Sequence, residues 1–237
     1  LPCYLTLIDG INGALDRELT GDDIGAIVRD AEQAWYRTEG EALDWLIDLG
    51  GQLSDEQVEG FLAALDEQQA EYEEKYLERS DEEFHEDSYD RMVETAADYL
   101  GRLEREQRKL MRGASGRLQR VDREWLRERA AFTERLRLVM EREPGWEQGV
   151  RDLIAARDDN LSAEYLAAFE HNITILQVVT AETLNLRTDK QDRHLRTRLE
   201  ELRGDFVALI EQGGGADGEC AAPAVMPMPT GAPPVSD

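Results

Sequence analysis

The chain has 237 residues, 41% hydrophobic and 33% charged, and its 52 acidic against 27 basic side chains leave a net charge of −25. That length allows one domain or two. The composition is too apolar for wholesale disorder and too charged for a membrane bundle, and no apolar run nears the ~20 residues of a bilayer crossing. A net anion of this size is repelled by phosphate, which sets nucleic acid aside as a partner.

The charge is unevenly spread. Residues 1–100 hold 28 acidic and six basic side chains, whereas residues 101–212 hold 21 of each. All the cations but Lys75, Lys109 and Lys190 are arginine, the side chain best suited to bidentate pairing with carboxylates. The second half is therefore expected to neutralise itself in ion pairs. The first half cannot, and it should either attract a basic partner or serve as a solubilising face.

In chain order, the start at Leu1 rather than Met makes the lack of a signal peptide uninformative. Cys3 and Cys220, near opposite ends, form neither a disulfide framework nor a zinc spacing. Both sit in stretches that read as irregular, poor ground for a nucleophile that a base must hold. Lipid attachment at Cys3 wants a small residue before it, and Pro2 argues against that role.

Thr20 with Asp23 reads as a loose helix start, and Gly50-Gly51 as a break. Ser54 with Gln57 is a capping box opening a helix over 55–78, whose apolar stripe is Val58, Phe61, Leu62, Leu65, Tyr72 and Tyr76. Ser80 with Glu83 opens the next. Between Glu71 and Asp98 the densest acids of the chain frame Tyr72, Tyr76, Phe84, Tyr89, Met92 and Tyr99. Aromatics in an acidic frame suit a groove for amphipathic, positively charged segments, so these six make the candidate partner-binding face. The plainer alternative is that they form the inner face of two helices.

Glu82 and His85 have the Glu-x-x-His spacing of di-iron bundles, but the required second copy is missing: Ala168 precedes His171 by three, and Gln191 precedes His194 by three. No metal site is expected. The arginine run from Arg102 to Arg137 is interleaved with Glu104, Glu106, Asp122, Glu124, Glu128 and Glu134, and reads as an ion-paired surface. Breaks are expected at 113–116 and at Pro144-Gly145. The segment 119–142 carries the stripe Val121, Trp125, Phe132, Leu136, Val139 and Met140, and 162–184 is apolar on more than one face, as a central helix would be. Thr188 with Gln191 opens a last helix striped by Leu195, Leu199, Leu202, Phe206, Leu209 and Ile210. Trp35, Trp45, Trp125 and Trp146 are expected in the core.

The reading is all-α: seven to nine amphipathic helices in a bundle or array over 1–212. This is one domain, with 113–117 the place where two sub-bundles would part. Residues 213–237 hold five of the seven prolines and are expected to be a disordered Gly/Pro-rich tail. No convergent catalytic set emerges, no Gly-rich loop follows a strand, and no cofactor is expected.

Several blocks occur together in order: Leu53-Ser54-Asp55-Glu56-Gln57, Gln69 to Leu77, Ser80 to Glu83, Asp98-Tyr99-Leu100-Gly101-Arg102-Leu103, and Leu186 to Gln191 leading into Leu195, Leu199 and Phe206. Over about residues 5–211 this resembles an uncharacterised family of all-helical lipoproteins of Gram-negative bacteria. The resemblance implies a helical body in the periplasm or on the periplasmic face of the outer membrane, tethered in typical members by an N-terminal lipid. Cys3 is the position this sequence offers for such a tether, and no lipobox is recognisable around it. The resemblance implies no known activity. The Leu53-Ser54-x-x-Gln57 start also resembles those of small periplasmic chaperones that cradle unfolded clients.

The expectation is a non-enzymatic envelope protein acting through protein–protein contact, with no cofactor. Two alternatives accompany it: a chaperone-like binder of unfolded or basic clients, and an acidic mimic sequestering one basic partner.

Overall fold

A computed structural model of the chain describes residues 1–157 and 161–213. Among them the chain is helical throughout, with no strand: α1 (Pro2–Ala14), α2 (Gly21–Gln52), α3 (Asp55–Leu77), α4 (Asp81–Leu100), α5 (Arg105–Ser115), α6 (Asp122–Val139), α7 (Trp146–Ala155), α8 (Ala163–Asn185) and α9 (Asp189–Glu211). The tail expected beyond Gly213 lies outside the described residues.

The starts follow side-chain chemistry. Ser54 Oγ accepts from the Gln57 N–H at 3.2 Å while Gln57 Oε1 accepts from the Ser54 N–H at 2.8 Å. Thr188 and Gln191 repeat the exchange at α9, at 3.3 and 3.0 Å. Thr20 does the same with a carboxylate: Asp23 Oδ2 accepts from the Thr20 N–H at 2.8 Å. Gly145, at φ 96°, occupies the left-handed region and turns the chain into α7, as the Pro-Gly pair anticipated.

Two expectations are corrected. Gly50-Gly51 does not break a helix, because α2 runs unbroken to Gln52. The glycines admit a neighbour instead: a Cβ on Gly50 would lie 3.3 Å from the Trp146 ring. Trp35 and Trp45 are not in the core but 57% and 65% exposed. The buried positions of α2 include Ile24, Ala34 and Ile47, and the two indoles project from other faces of the helix. Phe61 is likewise exposed, since Val58, Leu62 and Tyr76 take the buried side of α3.

The chain divides into two compact units, each assembled from separated segments. Of the described residues, one unit comprises Leu1–Thr38, Glu82–Leu118 and 171–213; the other comprises Glu39–Asp81 and Gln119–Glu170. In the first, α1 lies antiparallel on α9. Tyr4 stacks on Phe206 at 4.7 Å, Arg203 reaches Asp9 at 3.1 Å, and Arg196 reaches Asp16 at 2.8 Å. Its core joins Ile8, Leu15, Leu103, Met111, Val179 and Leu195. In the second unit α3 packs on α6, which packs on α7. There Tyr72 and Tyr76 meet Trp125 at centroid distances of 5.6 and 6.1 Å.

Candidate partner-binding faces and the cleft between α1 and α2

The six candidate residues fall on two helices and in both units. Tyr72 and Tyr76 belong to α3 and the second unit; Phe84, Tyr89, Met92 and Tyr99 belong to α4 and the first. Their rings are mostly spoken for. Tyr76 is buried and Tyr72 half-buried, and cations lie over both: Arg79 is 4.9 Å from the Tyr76 centroid and Arg129 is 5.0 Å from that of Tyr72. Phe84 is buried against the His85 ring at 5.2 Å. Tyr89 and Met92 pack on the core of their unit, with the Arg112 guanidinium 3.5 Å from the Tyr89 centroid. Tyr99, 47% exposed, is the member of the set that faces solvent.

What α3 and α4 present outward is therefore chiefly carboxylate. Each carries eight acidic residues and a single cation, Lys75 on α3 and Arg91 on α4. Arginines of the balanced half reach some of them: Arg112 binds Glu86, Arg120 binds Asp81 at 2.9 Å, Arg137 binds Asp66 at 2.8 Å, and Arg142 binds Asp55. The hydrogen bond from Arg112 holds the Glu86 carboxyl below its usual range. Within the arginine run, Arg112, Arg120 and Arg137 reach these distant carboxylates, and Arg120, Arg127 and Arg137 also pair with the interleaved Asp122, Glu128 and Glu134. The most enclosed pair, Arg79 with Asp122 at 2.8 Å, joins the end of α3 to the start of α6, and Arg120 adds hydrogen bonds to the Tyr76 and Arg79 carbonyls.

Two of the three histidines are engaged by backbone. His85 Nδ1 donates to the Ser115 carbonyl at 2.7 Å, and His171 Nε2 donates to that of Arg117 at 3.0 Å. Among the described residues no group of three or more His, Cys, Asp or Glu is placed to hold a metal ion, and no helix is long and apolar enough to cross a membrane.

Sequence reasoning missed two features of the first unit. One is a buried amide pair. Gln107 Nε2 donates to Gln191 Oε1 at 3.2 Å and Gln191 Nε2 returns the bond to Gln107 Oε1 at 2.9 Å. Gln107 also takes the Glu104 N–H and donates to the Thr183 carbonyl, while Gln191 donates to the Arg102 carbonyl. Every donor and acceptor of both amides is used. The signal was legible, because Glu104-x-x-Gln107 has the same spacing as the boxes that were recognised.

The other is a cleft of about 330 Å³ between α1 and the first half of α2. Leu7, Ile11, Ala14, Ile27 and Ala34 give it apolar walls. At one end stand Arg17 and Asp23, paired at 2.6 Å; that hydrogen bond, with those from Thr20, pulls the Asp23 carboxyl far below the usual range. At the other end Arg37 Nη1 lies 3.5 Å from Cys3 Sγ. Cys3 sits within a regular helix rather than an irregular end, and its sulfur is held in a disulfide.

An acidic, all-helical protein whose polar groups serve caps and ion pairs is the class these features define. By sequence it belongs to a family of unknown function (DUF6279), whose pattern matches residues 1–166. The match ends early in α8, so α9 and Gln191 lie beyond it. No curated protein and no solved structure matches the chain.

Proposed function

We propose that the protein is a non-enzymatic component of the bacterial envelope that works through protein–protein contact, its carboxylate-rich α3 and α4 engaging basic chain segments of a partner. The observation that carries this reading is the excess of 28 acidic over six basic side chains in residues 1–100, which the arginines of the second half offset only in part. A surface of this kind accelerates encounter with a cation-rich partner and loses its hold as salt screens it. The envelope assignment rests on the resemblance in order and spacing between the motifs from Leu53-Ser54 to Leu186-Gln191 and those of helical lipoproteins.

The test is suppression of aggregation of a basic unfolded client, reduced lysozyme, by the purified protein. Suppression should be strong at ~0.05 M salt and largely lost near ~0.5 M, where the screening length falls to about 4 Å. Replacing Glu82, Glu94 and Asp98 together by Lys should weaken it at low salt. Salt-independent suppression, or none, counts against the reading, as does metal- or cofactor-dependent turnover abolished by His85→Ala. Binding confined to one basic protein would favour a sequestering mimic over a promiscuous chaperone.

A further inference from the structure

We propose that the uncovered face of α2 over residues 42–49 is a docking seat for an amphipathic helix of a partner protein, apolar on one side and flanked by lysine or arginine. A surface helix needs one apolar stripe, the one that meets its core. The second half of α2 has that stripe in Leu43, Ile47 and Gly50, which are wholly or partly buried, with the Trp146 ring against Gly50. It has another besides. Ala42, Trp45, Leu46 and Leu49 fall at i, i+3, i+4 and i+7, and all are exposed, Trp45 at 65%, Leu46 at 53% and Leu49 at 38%. Scattered exposed apolar side chains are ordinary, but contiguous ones at anchor spacing mark an interaction surface. All four lie within one compact unit.

Charge selects the occupant. Between Arg37 and Lys75 the chain has twelve acidic residues and no basic one. Among the described residues, arginines from later in the chain reach four of them, Glu39, Asp44, Asp55 and Asp66, and the stretch stays a net anion. A second copy would set one carboxylate stretch against another, and an anionic lipid surface would be repelled in the same way. A cationic partner meets neither obstacle. Its form follows from the spacing. Anchors that run along the axis for two turns, about 10 Å, suit a helix lying alongside with its own side chains between them. Trp45, the largest and most exposed, is the anchor whose loss costs most. The positive flank of this partner rests on the function proposed above, whereas its apolar side rests on α2 alone.

The experiment measures binding of the full chain, by fluorescence anisotropy at ~0.15 M salt, to two dye-labelled peptides of about 18 residues. Both contain the same leucines and lysines; one orders them to give a helix an apolar side, and the other scrambles them. The patterned peptide should bind at least about tenfold tighter. Trp45→Ala with Leu46→Ser should abolish that preference and leave the scrambled peptide bound as before. Ala42→Arg, at an exposed position where helix propensity is kept, should do the same, and urea midpoints matching the parent's show that both variants fold. Equal binding of the two peptides by the parent, or a preference that survives in both variants, overturns the seat. So does a dimer of the parent, or its binding to phosphatidylglycerol vesicles, if either is lost in Trp45→Ala with Leu46→Ser. Salt-insensitive binding of the scrambled peptide, with the preference intact, counts against the function proposed above but supports the seat.

Discussion

A fully buried glutamine side chain is costly unless its amide is satisfied, and Gln107 is 0% exposed. Gln191 meets that requirement and receives the same service in return. Truncating either partner leaves a buried amide, a helix-start N–H and a carbonyl without bonds. Gln107→Leu and Gln191→Leu should each lose about 2–3 kcal/mol in urea unfolding. The double variant should lose less than the sum, because the second truncation removes groups already stranded. Both glutamines are plain in the sequence, but residues 84 apart cannot be seen to touch from spacing alone. The same limit applies to Tyr72 and Tyr89: their acidic frame was legible, whereas the arginines over their rings come from α6 and α5.

Asp192 shows the electrostatic counterpart. It accepts from Arg187 at 2.7 Å and from Arg196 at 2.9 Å, and the Arg187 hydrogen bond foremost lowers its carboxyl below the ordinary value, against a smaller opposing effect of burial. A carboxyl with a depressed folded-state pKa stabilises the fold above its unfolded value near 3.9, and the contribution fades as pH falls through the folded one. Asp192→Asn should therefore cost about 1 kcal/mol at pH 7, and the gap between variant and parent should narrow as pH falls below the unfolded value. Urea midpoints across that range decide it.

At the scale of elements, caps were the most readable feature, because a hydroxyl and an amide three positions apart act locally. Ser54→Ala should cost about 1 kcal/mol by loss of the bond to the Gln57 N–H. Gly145 is a sharper case: at φ 96° any side chain is strained, and Gly145→Ala should lose about 1–2 kcal/mol in thermal unfolding. Gly50 misled because a glycine pair has two physical uses, ending a helix or letting a neighbour approach. The sequence does not say that Trp146 arrives there. Helix existence followed from periodicity, but which stripe faces which helix did not, and for that reason Trp35 and Trp45 were placed on the wrong side.

Across the whole molecule the dominant property is charge. With a pI near 4.4, mutual repulsion between copies should vanish close to that pH, and turbidity should peak there and fall toward neutrality. The all-helical architecture was legible from composition and period. The division into units was not, because each unit is built from pieces that other segments interrupt, and pairing of distant pieces leaves no local signature.

That interleaving bears on how the polypeptide matures as it leaves the ribosome. Residues 39–81 and 119–170, which together complete one unit, have emerged while α9 is still to be made. The other must wait, with Gln107 and the oily side of α1 uncovered, for α9 to supply Gln191 and Leu195. A nascent chain stalled before that point would be half finished and sticky, the state in which it most needs a holding factor.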